Sequence, residues 1–129
     1  MVVDSSALLA ILLNEPDAEP IRRAFDRDDV RVLSAATLLE VSMVIESRKG
    51  ESGGRDLDLL ISKSKIEVIP VDESQVDEAR RAWRRFGRGR HPAGLNYGDL
   101  FSYALARTTG QPLLFKGNVF ARTDVGRVV

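Results

Sequence analysis

The chain lacks cysteine, has one histidine and contains no long apolar run. The missing cysteines exclude disulfides, thiolate zinc sites and a cysteine nucleophile, so any metal must be bound by oxygen atoms or by His91. No apolar run approaches the roughly 20 residues that span a bilayer, and the N-terminus has no basic segment before a long apolar one. We therefore expect a cytoplasmic protein with no membrane role.

An excess of charge of one sign is also lacking, because 19 basic and 19 acidic residues cancel. The protein as a whole has no field that would attract nucleic acid, so any such attraction must be local. The length of 129 residues and the 43% hydrophobic content fit one globular domain that covers residues 1–129.

Short apolar runs alternate with helical patterns along the chain, which predicts an α/β fold: one domain with a central parallel sheet of four to five strands and helices on both faces. Strands are predicted at Met1–Val3, Val30–Ser34, Ile66–Val71 and Pro112–Phe115. Helices are predicted over Ala7–Leu13, from Glu15 onward, and over Ala35–Lys49, Asp56–Lys65, Ser74–Phe86 and Asn96–Thr109. Gly50 and Gly110 are predicted to end helices, and Gly87–Gly94 to form a loop.

Three acidic residues lie in or beside segments that the pattern predicts to be buried. Asp4 ends the first strand, where open α/β sheets place their ligand sites, although a helix cap explains it equally well. Glu40 lies in a helix that is apolar on all sides, where an ionised acid needs a salt bridge, a partly exposed face or a metal. Asp99 follows Asn96 by three residues, the spacing of a capping box.

Carboxylate oxygens are the ligands that hard divalent cations prefer. Asp4, Glu40 and Asp99 therefore form a candidate metal site, although their separation in sequence leaves open whether they converge. Burial of each acid is the circumstance in which functional carboxylates acquire perturbed pKa values.

Four segments of the chain are similar to the VapC-type PIN-domain ribonucleases, the toxins of type II toxin–antitoxin pairs. The segments are Val3-Asp4-Ser5-Ser6-Ala7-Leu8, Ala36-Thr37-Leu38-Leu39-Glu40, Leu95 to Ala106 and Leu113-Leu114-Phe115-Lys116-Gly117. The resemblance implies a PIN domain with Mg²⁺- or Mn²⁺-dependent endoribonuclease activity, in which Asp4, Glu40 and Asp99 surround the metal. It also implies a homodimer, a VapB-type antitoxin that inhibits the enzyme by inserting its C-terminal segment into the active-site groove, and a higher assembly with that antitoxin.

One position departs from the family pattern. Members usually carry a fourth acid two residues after the Lys-Gly pair, and here that residue is Val119. Asn118 could offer a neutral oxygen and Asp124 is a weaker candidate ligand from farther along the chain. Because two-metal catalysis needs enough negative charge to hold both ions, we expect one firm metal and a weak or substrate-dependent second.

The mechanism expected from this resemblance is hydrolysis of an RNA phosphodiester by a metal-activated water, leaving 5′-phosphate and 3′-hydroxyl ends. Asp4 and Asp99 would be direct ligands, and Glu40 would bind through water or orient the nucleophile. Ser6 and Asn96 could support the site by hydrogen bonding, although helix capping explains both equally well.

A basic segment is the best candidate for phosphate contacts, although a solvated helix face is an equally good reading. It comprises Arg80, Arg81, Arg84, Arg85, Arg88 and Arg90, and no acid lies among them. Trp83 and Phe86 lie between these arginines and could stack on unpaired bases, but their helical spacing favours the core. Lys116 could reach a scissile phosphate or simply end a strand in solvent, and His91 is expected at the surface.

Two other functions are considered. A phosphoryl-transfer enzyme of haloacid-dehalogenase type would have an acid at the position of Ser6, so that class is disfavoured. A degenerate PIN-like module that binds RNA or antitoxin with little catalysis, because of Val119, is the remaining alternative. The RNA itself, transfer or ribosomal, depends on groove shape that the sequence does not specify.

Overall fold

The computed structural model describes residues 1–128 and contains a single parallel sheet. Its strands are β1 (Val2–Val3), β2 (Val32–Ser34), β3 (Glu67–Ile69) and β4 (Leu113–Leu114). They lie in the order β3-β2-β1-β4, and every neighbouring pair is parallel, with Val2 opposite both Val32 and Leu113. The predicted α/β class and four-stranded parallel sheet are therefore confirmed.

The helices cover both faces of this sheet. They are α1 (Ser5–Leu12), α2 (Glu19–Arg27), α3 (Ala35–Lys63), α4 (Glu73–Phe86) and α5 (Tyr97–Thr109), followed by a 3₁₀ turn at Phe120–Arg122. Within the described part of the chain, none of these helices combines the length and apolarity needed to cross a membrane.

Alternation along the strands divides the core into two halves. Val3, Leu33 and Leu114 pack with α1, α2 and α3 on one face, whereas Val2 and Leu113 pack with α4 and α5 on the other. Successive side chains of a strand point to opposite faces, so short strands in which every residue is apolar can support both layers. This explains why β1 and β4 consist of apolar residues only.

The third helix differs from its prediction in one respect. The break at Gly50 is present, with φ 65 and ψ −159, but helix resumes at once and does not wait for Asp56. Gly53, predicted to lie outside a helix, is buried, and a Cβ added there would lie 2.8 Å from the Ile45 carbonyl oxygen. Residues eight apart in a straight helix are separated by about 12 Å. The chain therefore bends sharply at Gly50, and glycine at 53 permits the close approach.

The second helix begins later than predicted. Glu15 and Asp17 lie in the turn after α1, and α2 begins at Glu19 with Pro20 in its first turn. Proline is favoured there because it lacks an N–H that the first turn would leave unpaired. Pro16 offered the same signal, and only the tertiary packing distinguishes the two.

Candidate active site

The candidate site lies beside β1, at the point of the sheet where the strand order changes direction. From β1 the chain moves outward to β2 and β3, then returns to place β4 on the other side of β1. The crevice beyond the carboxyl ends of strands at such a switch point is where open α/β sheets bind ligands. Asp4 directly follows β1, at this point of the sheet.

Asp4 is held rigidly by its neighbours. Its side chain is buried, and its Oδ2 accepts hydrogen bonds from the Ser6 backbone N at 3.0 Å and the Ser6 hydroxyl at 2.7 Å. The Lys116 backbone N donates to the same hydroxyl at 3.0 Å. Ser6 thus links the catalytic candidate at the end of β1 to the residues after β4, while Asp4 also caps α1.

Glu40 reaches the same region from the second turn of α3. Its carboxylate lies against Gly98, since a Cβ at that glycine would be 2.5 Å from Glu40 Oε2. Burial raises the pKa of Glu40, the Ser5 hydroxyl opposes this effect, and the charge of Asp4 adds to it. The acid that looked misplaced in an apolar helix therefore faces two other functional candidates.

Asp99 lies in the first turn of α5, where it completes a capping box with Asn96. The Asn96 backbone N donates to Asp99 Oδ2 at 3.0 Å, and the Asp99 backbone N donates to Asn96 Oδ1 at 3.1 Å. Burial raises the pKa of Asp99 to about 6, and the charges of Asp4 and Glu40 contribute, against the lowering effect of the hydrogen bond from Asn96. Asp99 therefore takes part in capping α5 and is also influenced by the charges of Asp4 and Glu40.

The three acids share one electrostatic environment without enclosing a cation. Within residues 1–128, no three acidic or histidine side chains are grouped closely enough to hold a metal. Asp4 is turned toward Ser6 and Asp99 toward the Asn96 backbone. The charge of Asp4 nevertheless raises the pKa of Glu40 and of Asp99, and the charge of Glu40 also raises that of Asp99. The donor set, three carboxylates near one strand end, fits a hard divalent cation in chemistry.

The other proposed ligands lie in the C-terminal segment. Asn118 and Val119 are exposed on the turn before the 3₁₀ helix. Asp124 accepts a short hydrogen bond from the Tyr103 hydroxyl and pairs with Arg85 at 3.1 Å and with Arg107 at 3.9 Å. Burial alone would raise the pKa of Asp124, but Tyr103 and the two arginines outweigh it and lower that pKa. These contacts engage Asp124 in tethering the C-terminal segment.

The predicted phosphate-binding residues fall into two groups. Lys116 Nζ pairs with Glu15 and, at 2.7 Å, with Asp17, so its charge is engaged by the turn between α1 and α2. Arg81 pairs with Glu78 at 2.7 Å, and Arg85 with Asp124. The remaining arginines of the segment lie differently: Arg80 and Arg88 line a groove, Arg90 stacks on Trp83, and Arg84 is exposed.

Two aromatic residues at the site are more exposed than the sequence indicated. Trp83, favoured for the core, is 44% exposed, whereas Phe86 is buried as expected. Tyr97 is 79% exposed and stacks edge-on against Phe101, with ring centroids 5.0 Å apart. His91 is partly exposed, and its Nδ1 accepts a hydrogen bond from the Ala93 backbone N at 3.0 Å. The buried face of α4 is centred on Gln75, Ala82 and Phe86, so Trp83 lies at its flank and not at its centre, which explains the error.

Sequence reasoning missed Gly98, the residue that makes room for Glu40. The signal was available, because a glycine in the first turn of a predicted helix lowers helix stability and calls for a local reason. Ser5, which modulates the pKa of Glu40, was noted only as part of the helix start.

The geometry described so far is that of a known domain family. The PIN domain model matches residues 1–126, and the chain belongs to the PIN domain family. Within it, the chain is 58% identical to "Ribonuclease VapC" of Mycolicibacterium smegmatis, over 99% of each chain. It is 52% identical to "Ribonuclease VapC30" of Mycobacterium tuberculosis, over 99% of this chain and 98% of that protein. The chain is thus a member of the VapC group, as its four segments predicted.

Solved structures agree on the fold. The M. tuberculosis toxin VapC20, described as cleaving the sarcin–ricin loop, superimposes with a TM-score of 0.78 at 17% identity, over 96% of this chain and 95% of that one. VapBC2 from Rickettsia felis, bound to a DNA fragment from its promoter, gives a TM-score of 0.73 at 13% identity, over 94% and 90% of the two chains. At such low identity these likenesses concern the fold alone.

Proposed function

We propose that this protein is the toxin of a type II toxin–antitoxin pair and acts as a Mg²⁺- or Mn²⁺-dependent endoribonuclease. The observation that carries the proposal is that Asp4 follows β1, Glu40 lies against Gly98 next to Asp99, and burial with the charges of the other two acids raises the pKa of Asp99 to about 6. Mutually repelling carboxylates are costly to maintain and are typical of sites that bind a cation.

Asp4 and Asp99 are the proposed direct ligands of the metal, and Glu40 binds it directly or through water. When bound, the cation supplies Lewis-acid polarisation of the phosphodiester and a lowered pKa for a water molecule. Ser6 keeps Asp4 oriented through its hydrogen bond, and Gly98 leaves the space that Glu40 occupies. The Asn96 backbone N donates to Asp99 Oδ2 and so orients this carboxylate, whose other oxygen would bind the cation.

Relatives supply the argument for substrate and partner. The M. smegmatis and M. tuberculosis relatives are named ribonucleases, and VapC20 is described as a toxin that cleaves the sarcin–ricin loop. We propose a structured RNA, transfer or ribosomal, as the substrate here. A VapB-type antitoxin is the proposed inhibitor, consistent with the VapBC2 complex.

An apolar surface beside the carboxylates is suited to protein contacts. A hollow of about 340 Å³ lies next to Glu40, and Leu39, Met43 and Tyr97 on its walls are 62%, 62% and 79% exposed. Exposed apolar patches of this kind mark interaction sites. We propose that this surface serves the homodimer and the bound antitoxin in the higher assembly.

Cleavage of total cellular RNA tests the proposal. Purified, antitoxin-free protein is incubated with Mn²⁺ or Mg²⁺, and the new ends are mapped. Discrete cuts with 5′-phosphates are expected, and EDTA and the Asp99→Asn variant should each abolish them. A folded protein that leaves RNA intact with either metal would contradict the nuclease and favour the degenerate binding module.

A further inference from the structure

A groove beside the candidate active site has the chemistry of a nucleotide-binding surface. It encloses about 760 Å³ between α4 and the start of α5. Val76, Ala79 and Trp83 form one wall, and Leu95 and Leu100 contribute to the other. Arg80 and Arg88 are the charged residues that line it, and no acid does. The apolar walls suit contact with a nucleotide base, and the two arginines suit contact with its phosphate.

Trp83 is held in place as a platform within this groove. The Arg90 guanidinium carbon lies 4.1 Å from the Trp83 ring centroid. Gly87 packs against the indole edge, since a Cβ there would be 2.6 Å from Trp83 Cδ1. An indole fixed by a cation and by backbone, yet 44% exposed, loses little conformational freedom when a base stacks on it.

The distribution of ion pairs separates groove arginines from structural ones. Arg81 and Arg85 are paired with Glu78 and Asp124, so acids neutralise that side of α4. Arg80 and Arg88 face the groove instead. Two arginines of the basic segment therefore line the groove in the fold, and two others are engaged by acids.

The groove adjoins the start of the helix that carries Asp99 and the hollow lined by Glu40. Asn96 and Tyr97 line it, and Asn96 caps the helix that carries Asp99. Tyr97 also borders the hollow that contains Glu40. A strand lying in the groove would therefore pass Tyr97 close to Glu40 and Asp99.

We propose that this groove binds single-stranded RNA next to the cleavage site, with an unpaired base stacked on Trp83 and phosphates held by Arg80 and Arg88. The inference rests on the proposed ribonuclease function and specifies its substrate: a loop or unpaired segment, because the base faces of a duplex are already covered. Apolar walls alone would also suit a peptide, but the acid-free cationic rim favours an anionic strand.

The indole provides its own reporter, because Trp83 is the only tryptophan in the chain. In the Asp99→Asn protein, which binds without cutting, a short single-stranded oligoribonucleotide should quench Trp83 fluorescence and the duplex of the same sequence should not. Equal quenching by the duplex would overturn the stacking proposal. Quenching that depends on protein concentration without RNA would assign the groove to contacts between copies of this chain.

Variants test the same groove by anisotropy with fluorescein-labelled RNA. Trp83→Ala should weaken binding about ten-fold, and Trp83→Phe, which keeps a ring, should restore most of the loss. Arg80→Ala and Arg88→Ala should each reduce the slope of log affinity against log salt by about 0.7, the value for one phosphate contact on a single strand. Arg23→Ala, which removes an exposed charge on α2, is the matched control and should change neither quantity.

Cleavage kinetics separate this inference from the proposed function. In the Trp83→Ala protein KM should rise with little change in kcat, because stacking binds the strand away from the reacting phosphate. A wild-type protein that cuts RNA while Trp83→Ala and Arg80→Ala bind and cut normally would overturn the groove and leave the nuclease intact. A wild-type protein that cuts nothing, while Trp83 still reports single-stranded RNA, would overturn the nuclease alone.

Discussion

Asp99→Asn should make the metal-free protein more stable at neutral pH while abolishing cleavage. The pKa of Asp99 rises from 3.8 in an unfolded chain to about 6 in the fold, chiefly through burial and then through Asp4 and Glu40. At about 1.4 kcal/mol per pKa unit, this rise corresponds to about 3 kcal/mol at most. Since the carboxyl keeps some solvent access, screening reduces the figure to about 1–2 kcal/mol. Asparagine retains an oxygen that accepts the hydrogen bond from the Asn96 backbone.

The sign of the pH dependence follows from the raised pKa. Between 3.8 and about 6 the folded state binds more protons than the unfolded state, so stability falls as pH rises through that range. The advantage of the asparagine variant should therefore be complete above that range and vanish below the pKa of the unfolded chain, where wild-type Asp99 is protonated in both states.

Urea unfolding in EDTA measures this effect. With a urea slope of about 2 kcal/mol per molar, the midpoint of the variant should lie roughly 0.5–1 M above wild type at neutral pH. Asp72→Asn, at a helix cap outside the carboxylate group, is the control and should show no such gain. A variant that is less stable than wild type at neutral pH, or a gain that does not change with pH, would refute the reasoning. Added Mg²⁺ should stabilise wild type and not the Asp99→Asn variant, because only the former holds the ion.

Three further substitutions extend these expectations. Gly98→Ala places a Cβ where Glu40 now lies, so kcat for RNA cleavage should fall roughly ten- to hundred-fold while urea stability is retained, because alanine favours helix. Tyr103→Phe removes the hydroxyl that donates a hydrogen bond to Asp124. The free energy of unfolding in urea should fall by about 1 kcal/mol while RNA cleavage is unchanged, and a loss of activity would contradict a purely structural role. Val119→Asp should raise Mn²⁺ affinity in calorimetric titration if the missing acid limits occupancy, and an unchanged affinity would mean that another group already fills that role.

Most of the fold could be read from local pattern. Short β-branched runs between amphipathic segments predicted the parallel sheet, and glycine marked the breaks at residues 50 and 110. Prediction failed where two signals were locally equivalent. Pro16 and Pro20 both suit a helix start, and α2 uses Pro20. Gly50, Gly53 and Gly54 all suit a break, but the break is at Gly50 and Gly53 packs against Ile45.

By itself the sequence determined which residues had to be buried and which acids looked out of place among them, because hydrophobic periodicity and the cost of burying charge are local properties. The tertiary structure decided which acids lie near one another. Strand order brings Asp4, at the end of β1, to α3 and α5, which begin thirty and more residues later in the chain. The same is true of charge. The six arginines of the basic segment look alike in sequence, and only the fold engages Arg85 with the distant Asp124 and places Arg80 and Arg88 in the groove beside Trp83.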